Sequence, residues 1–455
     1  MREISHSLSK YFSTGLRKEP YNKREVPGLV TSYNAVPSEI GLKRYKPFTS
    51  YFPQIQATWP FPQLFIFKER TFVGMPGKLY EYVDATDTFE VRISLAVTDP
   101  WTILDFSPFF ICNNEFRTWT YDLDTSAFVE VDYAQFPRCS TIANYKGQLI
   151  AGGEIVGIEG TSLTEYRTRV LWSRIGTMNF EVGRANIAGY MELEAGGAVK
   201  NILPLDKGFV AYSSRQIVYF PVVSSPTPTF GKRVILESGI AYSGSVCKGT
   251  DEHLALTVDG TLYRVSDKGL EKLGYKEFFA DFKNYRTVIT YNSYDDEYYI
   301  SNGLKTFVYR KEGLGELGQP ITSGGLTYEG EYVVQAHATL SSDFMVVTDT
   351  FDMNIRAQKT LYAVEVTGNA SAEMEMSIFW RPSFTQGFRQ SKWIRLGPTG
   401  VGTLPLAGVE FRLAFRALGT ADVYFDAASV RWKLTDKRHI RGMYAHQAPT
   451  PQYNE

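Results

Sequence analysis

The sequence predicts an all-β chain, and three observations predict it. Apolar residues alternate with polar ones in short runs rich in Tyr, Phe, Val and Thr, the residues that suit a pleated, half-buried surface. Pairs of such runs are joined by turn residues and recur about every 40–45 residues over the first three quarters of the chain. Past residue 350 the alternating runs lengthen and the rhythm changes. Together these indicate a β-propeller of about six blades, or seven, followed by a C-terminal β-sandwich.

The clearest unit is 254–265, reading LALTVDGTLYRV. Leu254, Leu256 and Val258 alternate with Ala255 and Thr257, and Asp259-Gly260 reads as a two-residue hairpin turn. That turn places Leu256 opposite Tyr263 and Leu254 opposite Val265. Related openings stand at Leu64, Phe109, Leu149, Phe209, Leu254 and Val288, at offsets of 45, 40, 60, 45 and 34. Second strands with aromatic alternation follow at Leu79, Trp119, Val218, Tyr263 and Phe307. The interval of 60 contains an insertion, 155–169, rich in Gly, Thr and Glu. Closing such an array into a ring removes the exposed sheet edges an open array leaves.

Four segments follow. Residues 1–46 carry three prolines and three glycines without a sustained period, and read as an irregular arm that orders only against its own body or a neighbour. Residues 47–350 form the propeller and 351–436 the sandwich. In the latter, Met374, Met376, Ile378 and Trp380 share one face. Phe411, Leu413 and Phe415 share another, with Arg412 and Arg416 opposite, and Val430, Trp432 and Leu434 form a third. Residues 437–455 read as an extended tail.

With 455 residues the chain suits two or three domains. The formal net charge is −1, unevenly spread. Residues 1–46 hold nine Lys/Arg against four Asp/Glu and 430–455 hold five against two, which leaves −9 for the middle. Met1 to Lys10 lack the apolar segment of a signal peptide, and the uncharged stretch 47–67 is broken by four prolines, so no membrane insertion is expected. Cys112, Cys139 and Cys247 have no paired spacing and read as buried thiols of a protein made in a reducing compartment.

Sites of chemistry are sparse. Gly313, Gly315 and Gly318 match a dinucleotide-binding fingerprint by letter, but Pro320 follows at once, so no helix can hold a pyrophosphate and a ring-closing loop is expected. His6, His253, His337, His439 and His446 lie far apart, without metal-ligand spacing. Asp122 and Asp124, like Asp295, Asp296 and Glu297, lack the regular oxygen ligands of a calcium loop and read as turn residues. No catalytic, cofactor-binding or metal residue is assigned and no cofactor is expected; a carboxylate pair assembled from separate blades stays open. Lys437, Arg438 and Arg441, around His439, form the densest basic cluster. With Lys23 and Arg24 of the arm they are the candidate contacts, to an acidic neighbouring subunit or to DNA phosphates.

Six segments, in order, resemble one family: tail hub or nozzle proteins of short-tailed bacteriophages, including those called packaged-DNA stabilisation proteins. They are LWSRIGTMNFE (171–181), GGAVKNILPLDKGFVAYSSRQIVYF (196–220) and ESGIAYSGSVCKGTDEHLALTVDGTLYRV (237–265). YNSYDDEYYISNGLKTFVYR (291–310), FRQSKWIRLGPTGVGTLPLAGVEFRLAF (388–415) and VRWKLTDKRHIRG (430–442) complete the set. The resemblance spans roughly 165–442; before it only the rhythm agrees. It implies a structural, non-enzymatic component of the virion tail, made in the host cytoplasm. Its expected partners are other copies in a homohexameric ring, adaptor and portal-side proteins, tail fibres or spikes, and DNA passing through the lumen. An acidic wall would let the duplex slide where a basic one would hold it. The arm and tail would then pack on adjacent subunits or the adaptor. The rival expectations are a receptor- or glycan-binding propeller, with Trp59, Trp101 or Trp119 clustered in a blade-tip pocket, and a polysaccharide depolymerase.

Overall fold

In the computed structural model the described residues are 4–17, 27–39, 41–55, 62–67, 69–96, 100–114, 117–156, 164–183, 187–224, 229–284, 286–327, 330–337, 343–368, 374–417 and 423–435. The chain divides into two compact units, one of residues 48–304 and 320–338, the other of 1–47, 305–319 and 339–455.

The first unit is a β-propeller. Five antiparallel four-stranded sheets follow one another at 63–94, 102–130, 138–192, 199–236 and 246–274, the fourth carrying an additional two-residue strand. Two further ladders complete the unit, Val288–Asn292 with Glu297–Ser301 and Ile321–Leu326 with Tyr332–Ala336. Within a sheet the chain meanders outward. Second strands such as Arg70–Met75 and Gly208–Ser213 are almost wholly buried, while fourth strands such as Thr88–Ser94 and Ala127–Glu130 are largely exposed.

Aromatic residues fill the spaces between successive sheets, which is why the chain is rich in them. Phe72 and Leu79 of the first module pack with Trp101, Phe110, Trp119 and Tyr121 of the second. Ile111 and Phe136 pack with Ile142 and Leu149, and Tyr145 and Trp172 with Phe209 and Phe220. Burying two sheet faces against each other is what holds these modules in register around the ring.

Polar side chains tie the modules together. The Asn113 amide donates to the Cys139 carbonyl at 3.1 Å, the Ser140 hydroxyl to Val199 O at 3.0 Å and the Asn201 amide to Ser243 O at 2.8 Å. The ring closes where the Leu64 N–H donates to Ser323 Oγ at 2.7 Å. There the segment before the first module completes the last one. The Tyr51 N–H donates to Val334 O at 2.8 Å, and the buried Gln335 amide both accepts from Phe52 N–H and donates to Phe52 O, each at 3.1 Å.

Counting the two ladders, the described residues form seven modules, the higher of the two expected numbers. The seventh escaped the hairpin rhythm because Thr322-Ser323-Gly324-Gly325 reads as a loop. It is part of the strand Ile321–Leu326, where a Cβ on Gly324 would collide with the Tyr332 and Thr290 hydroxyls.

The 254–265 hairpin forms, one residue out of the expected register. Leu256 pairs with Leu262, Ala255 with Tyr263, Leu254 with Arg264 and His253 with Val265. The loop has three residues, closed by Thr257 N–H to Thr261 O at 3.0 Å, with Gly260 at φ +82°. Asp259 sets this geometry by accepting from the Thr257 hydroxyl at 2.5 Å and the Thr261 hydroxyl at 2.8 Å. A two-residue turn does occur at Lys146-Gly147, where φ is +49° and +83°.

The second unit corrects the expected boundaries. Residues 351–436 do not close a core by themselves. In one sheet, Ala35–Ser38, Gly41–Arg44, Tyr424–Leu434, Lys359–Gly368 and Val401–Gly408 lie in that order, with Ile4–Ser7 also on Tyr424–Leu434. In the other, Leu314–Leu317, Leu29–Tyr33, Phe344–Thr348, Glu410–Ala417 and Met374–Arg381 are neighbours. Both sheets share one core, in which Met374, Met376, Ile378, Phe411, Leu413, Phe415, Val430 and Trp432 meet Leu8, Phe12, Leu29 and Leu42.

The described residues among the first 46 are therefore not an irregular arm. Four strands and a short helix lie there, and their apolar residues are core. The signal was weak because each strand spans four or five residues, and Ile4–Ser7, Leu29–Tyr33 and Gly41–Arg44 pair with strands hundreds of positions away. Leu8, Phe12, Leu29, Ala35 and Leu42 of this segment pack within their own chain.

Candidate functional site

The glycine fingerprint has a structural explanation. Residues Leu314–Leu317 form a buried strand, not a loop. A Cβ on Gly313 would strike Thr14 O and one on Gly315 would strike Ala35 O, while the Gly318 N–H donates to Asn34 Oδ1 at 2.7 Å. The glycines let this strand approach the N-terminal backbone closely.

Trp101 and Trp119 make no blade-tip pocket. They are 2% and 7% exposed, packed against each other at 5.9 Å between the first two modules. Asp122 accepts from the Asp124 and Thr125 N–H groups in a turn, as expected of it. His253 is fully buried, and burial lowers its pKa to about 4 despite the hydrogen bond to Pro204 O. Burial raises the Cys112 and Cys139 thiols far above their usual range, so both are inert. Among the described residues no three His, Cys, Asp or Glu side chains are grouped to hold a metal. The candidate contacts Lys437, Arg438, Arg441, Lys23 and Arg24 lie outside the described residues, as do Trp59, His439 and His446.

A recess on the propeller spans its third, fourth and fifth modules. This cleft of about 1030 Å³ is bordered by the turns around Lys146, Asp206 and Asp251 and the outer hairpin at Asp267. Its walls are braced across modules. The Tyr145 hydroxyl donates to Asp206 O at 3.0 Å, Lys146 pairs with Asp206 at 3.0 Å and the Tyr219 hydroxyl donates to Asp267 at 3.2 Å. Arg264 binds Glu252 at 3.1 Å and Glu271 at 3.2 Å. Cations and carboxylates of the lining thus neutralise one another, a braced polar recess without a nucleophile–base pair.

Charge, rather than a pocket, distinguishes the surface. The propeller unit holds 23 Lys/Arg against 32 Asp/Glu, a net −9. The other unit holds 25 against 17, a net +8. All of the propeller's excess can be found in 81–132, with eleven acidic residues against Arg92 and Arg117. Asp84 and Asp87 occupy the turn between the third and fourth strands of the first module, and Asp122 and Asp124 the same turn of the second. Equivalent turns of a repeat lie on one side of a ring, so these four carboxylates share a face. None has a cationic partner among the described residues, and Asp84, Asp87 and Asp124 are exposed.

The second unit carries the counterpart. Residues 374–417 hold six Lys/Arg against two Glu. Arg412 and Arg381 lie over the Phe388 ring at 4.5 and 5.3 Å, and Arg416 over Trp393 at 4.3 Å. Arg416 also binds Glu375 at 2.7 Å, and Arg381 binds the buried Glu410. Beyond this ladder Arg389, Lys392 and Arg395 are exposed, without a carboxylate partner among the described residues. Sequence reasoning passed over these three. Their signal was the run FRQSKWIR at 388–395, three cations around two aromatics.

Comparison with known proteins assigns neither a family nor a function. No family model matches the chain, and no curated protein does. Among solved structures it is similar to BamB from Moraxella catarrhalis, at 12% identity and TM-score 0.38 over 60% of this chain and 81% of that one. It is similar also to the Neurospora crassa Pan2 WD40 domain, at 7% identity and TM-score 0.39 over 61% and 86%. U3-55K aligns at 8% identity and TM-score 0.40 over 64% and 88%. At these scores none of them bears on what this chain does.

Proposed function

We propose that this chain is a structural subunit of a phage tail, of the hub or nozzle type. In this reading several copies, six by the resemblance, form a ring around the DNA exit path below the portal and adaptor. The ring retains packaged DNA and anchors fibres or spikes. The observation that carries the reading is the ordered set of resembling segments, the first three of which lie within the propeller unit. Within 196–220 lie the paired strands Val199–Leu205 and Gly208–Ser213, and within 237–265 lies the Asp259 hairpin. The net −9 of the propeller supports it too, since such a wall would repel phosphates and let a duplex slide.

Negative-stain class averages of the purified protein, alone and with adaptor protein, test this. Six-fold rings around a pore are expected. Monomers in both preparations, or a ring whose lumen maps basic, refute it.

The braced cleft favours a second reading, a binding propeller whose ligand enters from the Asp206 face. A glycan array would show micromolar hits that disappear in Lys146→Glu and Arg264→Ala variants. Hits unaffected by both substitutions would exclude the cleft.

A further inference from the structure

Two patches of opposite sign stand unneutralised on the two units of one chain. On the propeller they are the aspartates of turns 84–87 and 122–124, and on the other unit Arg389, Lys392 and Arg395. Asp84, Asp87 and Asp124 on the one unit and Arg389, Lys392 and Arg395 on the other are exposed, and no member of either set has an ion-pair partner among the described residues.

We propose that the two patches meet between copies: Arg389, Lys392 and Arg395 of one chain dock on the aspartate-bearing turns of the next. This rests on the ring reading above and names the surface that would build it.

The contact joins two different surfaces, so it is head-to-tail, and such contacts close into rings when the rotation per copy permits. The net charges of +8 and −9 draw unlike units of neighbouring copies together and hold like units apart. The cationic patch is also pre-organised. Phe388 and Trp393 are stacked under Arg381, Arg412 and Arg416, which fixes the segment from which the three free cations project. Because those ring faces are already covered by the chain's own guanidiniums, they are poor platforms for stacking bases. A folded acidic surface therefore suits the patch better than a single-stranded nucleic acid. The aspartates are likewise held, Asp87 by the Tyr82 hydroxyl at 2.9 Å and Asp122 by two backbone N–H groups. Little side-chain freedom is lost when the patches join.

Charge-swap rescue with the full chain tests this. One variant carries Arg389→Glu, Lys392→Glu and Arg395→Glu, the other Asp84→Lys and Asp124→Lys, and sedimentation velocity reads assembly at low and high salt. Each variant alone is expected to assemble at least about tenfold more weakly than wild type. An equimolar mixture is expected to regain assembly, because each reversed patch then meets its complement; misfolding would not be repaired by mixing. High salt should dissociate wild type and mixture alike. Assembly of wild type that persists in both variants overturns the inference and leaves the ring reading standing. Variants that dissociate but are not rescued by each other also overturn it. A wild type that stays monomeric overturns both. Wild type that binds a DNA duplex through Arg389, Lys392 and Arg395, and assembles without them, reassigns the patch to nucleic acid.

Discussion

His253 sets an acid limit on the propeller that can be worked from its surroundings. The ring bridges two modules: its Nε2 lies 3.1 Å from Pro204 O and its Nδ1 2.8 Å from the Tyr212 hydroxyl. A carbonyl only accepts, so Nε2 carries the proton and Nδ1 accepts from Tyr212, a neutral imidazole with both nitrogens used. Charging it is opposed first by burial and further by Lys248, while the Pro204 hydrogen bond favours the charged form, and the result is a pKa of about 4. Unfolded, the same histidine titrates near ~6.5. Between these values the unfolded chain binds the extra proton and the folded chain does not, so stability falls as pH falls. The contribution is fully present above the unfolded value, and the gap corresponds to a loss of about 3 kcal/mol by the time pH reaches the folded value. Urea unfolding from about pH 8 to about pH 4, for wild type and His253→Gln, reads it. The glutamine keeps a donor and an acceptor but does not titrate. Carboxylates titrating in the same window are common to both proteins and cancel in the difference. Wild type should start the more stable and lose about 3 kcal/mol relative to the variant on acidification. Parallel curves would refute the argument.

Three further outcomes follow from the same packing. Gln335→Ala removes both hydrogen bonds to Phe52 at the ring closure, and should cost about 2 kcal/mol and raise amide exchange first in 332–336 and 50–55; exchange that rises first elsewhere would mean that closure lies elsewhere. Glu81, buried between Arg70 at 2.6 Å and Arg92 at 2.7 Å, also accepts from the Tyr121 hydroxyl of the next module. Glu81→Ala should cost about 3 kcal/mol in urea unfolding, and a loss under 1 kcal/mol would show the network to be dispensable. Deletion of residues 1–46 removes Leu8, Phe12, Leu29 and Leu42 from one core. It should abolish cooperative unfolding of that unit, not merely its assembly, as followed by circular dichroism and proteolysis.

Much of the fold was legible because strand alternation and turn chemistry are local. The runs at Leu64, Phe109 and Phe209 each belong to strands of the propeller, and the inward faces at Met374 and Phe411 are buried as their alternation requires. Register was less legible. Asp-Gly permits a two- or a three-residue loop, and the Thr257 and Thr261 hydroxyls on Asp259 decide for the longer one.

Of the candidate contacts, the clusters around Lys437 and Lys23 were found by counting charge along the chain, and both lie outside the described residues. Arg389, Lys392 and Arg395 were missed because their meaning depends on what lies opposite them. Glu375 and Glu410 take Arg416 and Arg381 as partners and leave these three without one among the described residues.

By itself the sequence determined an all-β chain of repeated hairpins with aromatics between sheets, because period-two alternation acts within a few residues. Tertiary structure alone decided that 1–47, 305–319 and 339–455 fold together, and that the −9 and +8 fall on separate units. Strand pairing is indifferent to distance along the chain: Leu29 meets Thr348 and Gly15 meets Leu314 only because burying their shared core outweighs the entropy of closing such long loops.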